Sequence, residues 1–109
     1  MSRLAGQFER LWKLHGGPAL TKEVKFHPTR RWRWDFCNSR AMAAIEINGG
    51  VFVGGRHSRG MGQVNDAEKL REGTYLGWNC LTFTSRCLSS ANIRRAIDWV
   101  MARIKDAKP

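Results

Sequence analysis

Two acidic residues stand eleven positions apart, Asp35 within Trp-Asp-Phe and Glu46 within Ile-Glu-Ile, in segments that both have the character of β-strands. A short polar turn over 38–40 separates the segments, so we expect them to pair as a hairpin. Both carboxylates can then reach one divalent cation, which would neutralise their mutual repulsion. The main-chain carbonyl of Ile47 would add an oxygen ligand. This pattern favours metal-dependent hydrolysis of a phosphodiester, in which a bound Mg²⁺ activates water.

Each carboxylate also has an ordinary interpretation. Asp35 could form a surface ion pair with Arg33 or Arg40, and Glu46 could pair with a neighbouring arginine. The two residues taken together, on adjacent strands, favour the metal site.

The charge balance of the chain points to an anionic partner. Its 109 residues include 19 Lys and Arg against 9 Asp and Glu, giving a formal net charge of +10. We interpret this excess as a nucleic-acid-binding surface, with an anionic membrane surface as the alternative. No apolar run of about 18 residues and no apolar signal region is present, so we expect a cytoplasmic protein. The cysteines at 37, 80 and 87 lack CxxC spacing, and we expect Cys37 and Cys80 to be buried thiols.

Periodicity predicts the elements that must position these residues. Helices are expected over 3–14, 64–76 and 90–105, and strands over 22–27, 31–37, 42–48 and 78–84. The order is α-β-β-β-α-β-α in one α/β domain spanning residues 1–109, and the glycine-rich segment 49–62 is expected to be a loop. Alternation in the second strand predicts one face with Trp32, Trp34 and Phe36 and an opposite face with Arg33, Asp35 and Cys37. Apolar residues at helical spacing predict a buried stripe along the last helix, formed by Ile93, Ile97, Val100, Met101 and Ile104.

The motifs from Trp-Asp-Phe at 34–36 and Ile-Glu-Ile-Asn-Gly-Gly at 45–50, through Gly-Arg-His at 55–57 and Asp-Ala-Glu-Lys at 66–69, to Gly-Trp-Asn-Cys-Leu-Thr-Phe at 77–83 resemble the PD-(D/E)xK nuclease superfamily. The resemblance covers roughly residues 8–85. It is nearest to small stand-alone phage and prophage endonucleases related to the very-short-patch-repair and Holliday-junction-resolving branches. It implies a restriction-endonuclease-like mixed sheet flanked by helices, with metal ligands at Asp35 and Glu46 and a further glutamate from the first helix, Glu9. The alternative for Glu9 is a solvated helix residue.

One position departs from the motif. Asn48 stands where the lysine of ExK is usual, and an asparagine can orient a water but carries no charge. We expect Lys69, on the following helix, to supply the missing cation; otherwise it is a solvated lysine paired with Asp66. His57 is a second group suited to proton transfer, unless it only contacts phosphate. Gln63 and Asp66 are expected to support the site indirectly.

The segments beside the site are suited to a phosphate backbone. Glycines let main-chain N–H groups approach phosphates, and arginines bind them bidentately. The DNA contacts predicted on this ground are Arg30, Arg31, Arg33, Arg56, Ser58 and Arg59. The glycine-rich loop lacks the Lys-[Ser/Thr] ending of a nucleotide-triphosphate loop, so no nucleotide cofactor is expected.

The sequence therefore predicts a DNA endonuclease that depends on Mg²⁺, with Mn²⁺ as a substitute. No zinc finger or helix-turn-helix is readable, which favours recognition of branched or junction DNA by shape, and cutting two strands would favour a homodimer. Three alternatives stay open: a nicking or mismatch-repair-type endonuclease, an RNA-directed nuclease, and a noncatalytic nucleic-acid-binding module on a nuclease scaffold.

Overall fold

The computed structural model describes residues 2–48 and 61–107, and the side chains of 61–63 are outside that description. Within these residues the elements are α1 (Arg3–Leu14), β1 (Thr21–Lys25), β2 (Arg33–Asn38), β3 (Ala43–Ile47), α2 (Met61–Tyr75), β4 (Asn79–Phe83) and α3 (Ser90–Asp106). The predicted order α-β-β-β-α-β-α and the mixed α/β architecture are confirmed.

The four strands form one mixed sheet in the order β1-β2-β3-β4. β1, β2 and β3 are antiparallel neighbours, whereas β4 runs parallel to β3. Because a parallel pair needs a crossover, the chain from β3 to β4 passes through α2. β2 and β3, the strands that carry the two acidic residues, therefore lie in the middle of the sheet.

Apolar side chains cover both faces of this sheet. On one face, α1 and α3 pack on β2, β3 and β4 through Phe8, Trp12, Ile93 and Val100, all buried, and Ile45 lies beneath them. On the other face a smaller cluster lies under α2, and its buried members are Trp34, Cys37 and Ala44. The two clusters fix the helices on opposite sides of the strands and leave the ends of β2 and β3 to form a site.

Local signals explain where α1 and α3 begin. The Ser2 hydroxyl accepts a hydrogen bond from the Ala5 N–H at 3.1 Å, and the Ser89 hydroxyl accepts one from the Asn92 N–H at 3.2 Å, so both serines are N-cap residues. The predicted apolar stripe of α3 is buried at Ile93, Ile97 and Val100. The prediction that Met101 belongs to this buried stripe was wrong, because its side chain is 51 % exposed.

The strict alternation expected along β2 was also wrong. Trp34 packs with Cys37 in the cluster under α2, whereas Phe36 packs against Phe8 on the opposite face, with ring centroids 4.9 Å apart. The phase therefore changes around Asp35. The regular β2–β3 pairs stop at Phe36 with Ile45, and on β1 the residue Glu23, which falls between two registered pairs, has a positive φ of 54°. Irregularity of this kind re-aims side chains at functional sites.

The start of α2 and the burial of one cysteine need correction. α2 begins at Met61, not at residue 64, so positions 61 and 62 belong to a helix and not to the expected loop. Cys80 is only half-buried, while Cys37 is fully buried as predicted. None of the described helices is both long and apolar enough to cross a membrane.

Candidate active site

Asp35 and Glu46 bind each other's strands through side-chain to main-chain hydrogen bonds. The Asp35 N–H donates to Oε2 of Glu46 at 2.8 Å, and the Ile47 N–H donates to Oδ2 of Asp35, also at 2.8 Å. These two bonds continue the β2–β3 pairing beyond its last regular pair, so carboxylates stand where main-chain carbonyls would be. Both carboxylates are thereby fixed on the same side of the hairpin, as the hairpin argument required.

The two carboxylates open into one cavity of about 290 Å³ between the sheet and α2. Its lining is shared by β2, β3, β4 and α2 and consists of Asp35, Glu46, Ile47, Asn48, Asp66, Lys69, Leu70 and Thr82. Five of the residues predicted from the sequence thus meet here, together with Asp66. The cavity is open and polar, which suits a charged substrate more than an apolar ligand.

Lys69 reaches the carboxylate pair from the helix. Its Nζ forms an ion pair with Oε1 of Glu46, and the side chain of Lys69 is only 15 % exposed. The same Nζ lies 5.2 Å from the centroid of the Trp34 ring, within the range of a cation–π contact. Lys69 therefore lies beside Glu46, as predicted. Among the ion pairs of the described residues, none joins Lys69 to Asp66, which was the alternative.

Burial shapes the ionisation of the site. Burial raises the pKa of Glu46 above its ordinary 4.5, and the Lys69 ammonium and the Asp35 N–H only partly oppose this effect. Cys80 lies near the same charges: burial first, and then the negative charge of Glu46, raise the pKa of its thiol to about 12. The Cys80 thiol is therefore protonated at neutral pH in the metal-free protein, which makes it a weak nucleophile.

The donor set fits a hard cation. Mg²⁺ commonly uses one or two protein carboxylates and keeps several waters. Oδ1 of Asp35 takes no hydrogen bond from the described part of the chain, so it is open to a ligand. The carbonyl of Ile47 points to the same neighbouring strand as its N–H, which is bonded to Asp35. Within the described residues no cluster of three or more His, Cys, Asp and Glu could hold a metal, so a cation here would rest on two carboxylates, a carbonyl and water.

The remaining lining residues have distinct placements. Asn48 is exposed, its N–H donates to the carbonyl of Phe83 at 2.8 Å, and it lines the same cavity as Glu46. Asp66 is exposed on α2. Thr82 and Leu70 were not anticipated from the sequence. Thr82 is the parallel partner of Glu46, so its polar position in an alternating β4 was the signal that could have indicated it.

The structure does not bring Glu9 to this cavity. Its carboxylate pairs with Nζ of Lys22 at 2.9 Å, which lowers the pKa of Glu9, and it lines a separate cavity beside Trp12. Two histidines outside the cavity, His27 and His15, have polar partners of their own. Nε2 of His27 lies 3.2 Å from Oε1 of Glu72, and Nε2 of His15 lies 3.1 Å from the Ser90 hydroxyl.

The predicted DNA-contacting arginines are only partly described. Arg30 is held by α2: its Nη1 lies 3.4 Å from Oε2 of Glu68, and its guanidinium stacks 4.0 Å from the Trp32 ring centroid. Arg31 and Arg33 are exposed. Predictions at four other positions lie outside the described residues, namely Arg56, His57, Ser58 and Arg59, and so does the side chain of Gln63.

Comparison of the chain with protein-family models, curated proteins and solved structures found no match.

Proposed function

We propose that this protein is a Mg²⁺-dependent DNA endonuclease with a restriction-endonuclease-like, PD-(D/E)xK type of domain. One observation carries the proposal: two strand carboxylates, Asp35 and Glu46, share an open cavity with the ammonium of Lys69, whose side chain is only 15 % exposed. Two acidic groups and one cation in a polar cavity match the needs of phosphodiester hydrolysis better than those of simple binding.

The two carboxylates are the residues that would hold the cation, with the Ile47 carbonyl beside them. When bound, Mg²⁺ would supply a more acidic water and positive charge near the nonbridging phosphate oxygens. The protein contributes rigidity, because each carboxylate is anchored to the opposite strand by a 2.8 Å hydrogen bond. Ligands fixed in this way lose little conformational entropy on binding.

Lys69 takes the role that the third motif position leaves vacant. Asn48 lines the cavity but carries no charge, whereas the Lys69 ammonium already lies beside Glu46. In the presence of a phosphodiester, this ammonium would turn to a nonbridging oxygen and stabilise the charge that develops there. Asn48 would orient the attacking water through its amide.

The charge of the chain supports the proposed substrate class. A net charge of +10 favours a polyanion, and Arg31 and Arg33 are exposed cations on the segment that leads to Asp35. We propose DNA, with preference for branched or junction structures, and a homodimer as the form that incises two strands.

Cleavage assays with matched DNA substrates test the proposal. Wild type should cleave a four-way junction with Mg²⁺ or Mn²⁺, faster than nicked, mismatched or plain duplexes of the same sequence. Asp35→Asn should retain DNA binding but cleave about a thousandfold more slowly. An RNA substrate of the same sequence tests the RNA-directed alternative, and a solution mass measurement tests the dimer. Binding of every substrate without cleavage in either metal would contradict the nuclease and favour a noncatalytic binding module.

A further inference from the structure

Lys69 depends on a residue that is not in the motif. Lys69 comes from a helix and not from the strand that carries Glu46, so the distance between the ammonium and Glu46 depends on how deeply α2 sits on the sheet. The residue under α2 at this point is Trp34, which is fully buried. We propose that Trp34 is a positioning residue that holds Lys69 beside Glu46. The effect of Trp34 on catalysis rests on the proposed function, whereas its effect on the position of Lys69 does not.

The first observation is close contact between α2 and the indole. A Cβ added at Gly73 would lie 2.6 Å from Cζ2 and 2.7 Å from Cη2 of Trp34, so the helix backbone rests directly on the ring. Lys69 and Gly73 are four residues apart and therefore share one face of α2. The contact at Gly73 thus sets the height of the helical turn from which Lys69 extends.

The second observation is that the ring itself contacts the ammonium. Nζ of Lys69 lies 5.2 Å from the Trp34 ring centroid, and tryptophan offers cations the most favourable aromatic face. Phe26 stacks on the same indole, with centroids 4.0 Å apart and planes within 9°, which fixes the orientation of the ring. The ammonium is therefore held by Glu46 on one side and by an oriented indole on another.

The third observation is an unpaired donor. Nε1 of Trp34 is buried and has no hydrogen-bond partner in the described part of the chain. A buried N–H without a partner destabilises the folded state, and a phenylalanine would avoid that cost. The indole thus provides more aromatic surface for Lys69 than a phenylalanine would, at the expense of stability. Trp34 also directly precedes Asp35, so one residue connects the lysine to the carboxylate pair.

Amine labelling of Lys69 tests this inference without needing cleavage. The variants are Trp34→Phe, Trp34→Leu and Gly73→Ala, with Gly6→Ala as the matched control, because a Cβ at Gly6 meets only the tip of the Arg10 side chain at 3.6 Å. Acetylation of Lys69 would be followed by peptide mass spectrometry, and circular dichroism would establish that each variant folds.

We expect Lys69 to be acetylated about tenfold faster or more in Trp34→Leu and Gly73→Ala, the ratio implied by loss of one desolvated cation–π contact. Trp34→Phe should be intermediate and Gly6→Ala unchanged. In cleavage assays, kcat should fall in the same order while KM for DNA changes little. Wild-type labelling of Lys69 in folded Trp34→Leu or Gly73→Ala would overturn the inference. If the wild type does not cleave DNA at all, the labelling rates still decide the role of Trp34.

Discussion

Asp35 and Glu46 each accept a hydrogen bond from the main chain of the other's strand, at 2.8 Å in both cases. Because the acceptors are carboxylate oxygens, the pair brings two negative charges to the point where regular β2–β3 pairing stops. Repulsion between the two groups is relieved in the folded chain by Lys69, and in the proposed enzyme by a cation as well.

Replacing Asp35 by asparagine should remove metal binding without unfolding the protein. The amide oxygen of asparagine can still accept the Ile47 N–H, so the β2–β3 pairing is preserved, while the negative charge is lost. Cleavage should fall by about a thousandfold, as expected for loss of several kcal/mol of transition-state stabilisation. Titration calorimetry with Mn²⁺ and initial cleavage rates measure the two effects.

Glu9→Gln is the matched control for Asp35→Asn. Glu9 forms a half-exposed pair with Lys22 in another cavity, which is worth less than about 1 kcal/mol. Mn²⁺ affinity and cleavage should therefore be unchanged in Glu9→Gln. A loss comparable to that of Asp35→Asn would restore Glu9 to the metal site and contradict the geometry.

Lys69→Met should have opposite effects on metal binding and on catalysis. In the described structure Oε1 of Glu46 is occupied by Lys69, so a cation must compete with the ammonium for that oxygen. Without the ammonium, Mn²⁺ should bind about tenfold more tightly in the absence of DNA, a size typical of coupling between sites. Cleavage should nevertheless fall, because the positive charge near the phosphate is lost.

Two further variants sharpen the Lys69 experiment. Lys69→Arg keeps the charge and should bind Mn²⁺ like wild type, and Lys22→Met removes a lysine that pairs with Glu9 in the separate cavity and should change neither quantity. Weaker or equal Mn²⁺ binding by Lys69→Met would show that the lysine and the cation do not compete.

Much of this site follows from sequence pattern, because its two carboxylates lie in segments with clear strand character. The period-two pattern of 42–48 indicates that Ile45 and Ile47 face away from Glu46, and in the structure both isoleucines pack in or against the core under α1 and α3 while Glu46 lines the cavity. The helical position of Lys69 was also readable, since its neighbours lie in a helix that ends before a glycine. These features depend on local periodicity, which a single sequence records well.

Features that depend on contacts between distant segments could not be predicted from the sequence. The change of phase at Asp35 coincides with hydrogen bonds to Glu46 and from Ile47, and alternation rules take no account of such bonds. The pairing of Glu9 with Lys22 depends on where α1 crosses the sheet, and helical spacing does not specify that position. The support of Lys69 by Trp34 requires the depth at which α2 packs.

As the pH is lowered, metal affinity should be lost at a higher pH than it would be for a glutamate with an ordinary pKa. Burial raises the pKa of Glu46 above 4.5, so its proton is held to a higher pH, and a protonated carboxyl binds cations poorly. Mn²⁺ binding should be complete above this raised pKa and should be lost as the pH falls through it, while still above 4.5. Calorimetry between about pH 4 and pH 7.5 covers the range in which a raised glutamate pKa titrates.

The contribution of Glu46 to folding stability should depend on pH in the opposite direction to metal affinity. A raised pKa in the folded state means that the contribution of Glu46 to stability is present below pH 4.5 and is lost as the pH rises through the folded pKa. Glu46→Gln should remove this dependence. If metal affinity is flat down to pH 4.5 in the wild type, Glu46 is not a ligand or its carboxylate is not buried.

The Cys80 thiol should be unreactive in the folded protein and should affect stability only in alkali. Its pKa is raised to about 12 from an ordinary 9, so its contribution to stability is complete below pH 9 and is lost between these two values. Denaturant unfolding of wild type and Cys80→Ala at pH 8 and pH 10 measures this, and the stability difference between them should shrink at the higher pH. A constant difference would contradict the burial of the thiol.

Diffraction from a crystal soaked in Mn²⁺, with data collected to reveal anomalous scattering, tests the proposed metal site most directly. We expect one anomalous peak within coordination distance of Oδ1 of Asp35 and a carboxylate oxygen of Glu46, with the Lys69 ammonium displaced from Oε1. No peak in this cavity at saturating Mn²⁺, or a peak elsewhere with the Lys69–Glu46 pair intact, would contradict the proposed metal-dependent nuclease.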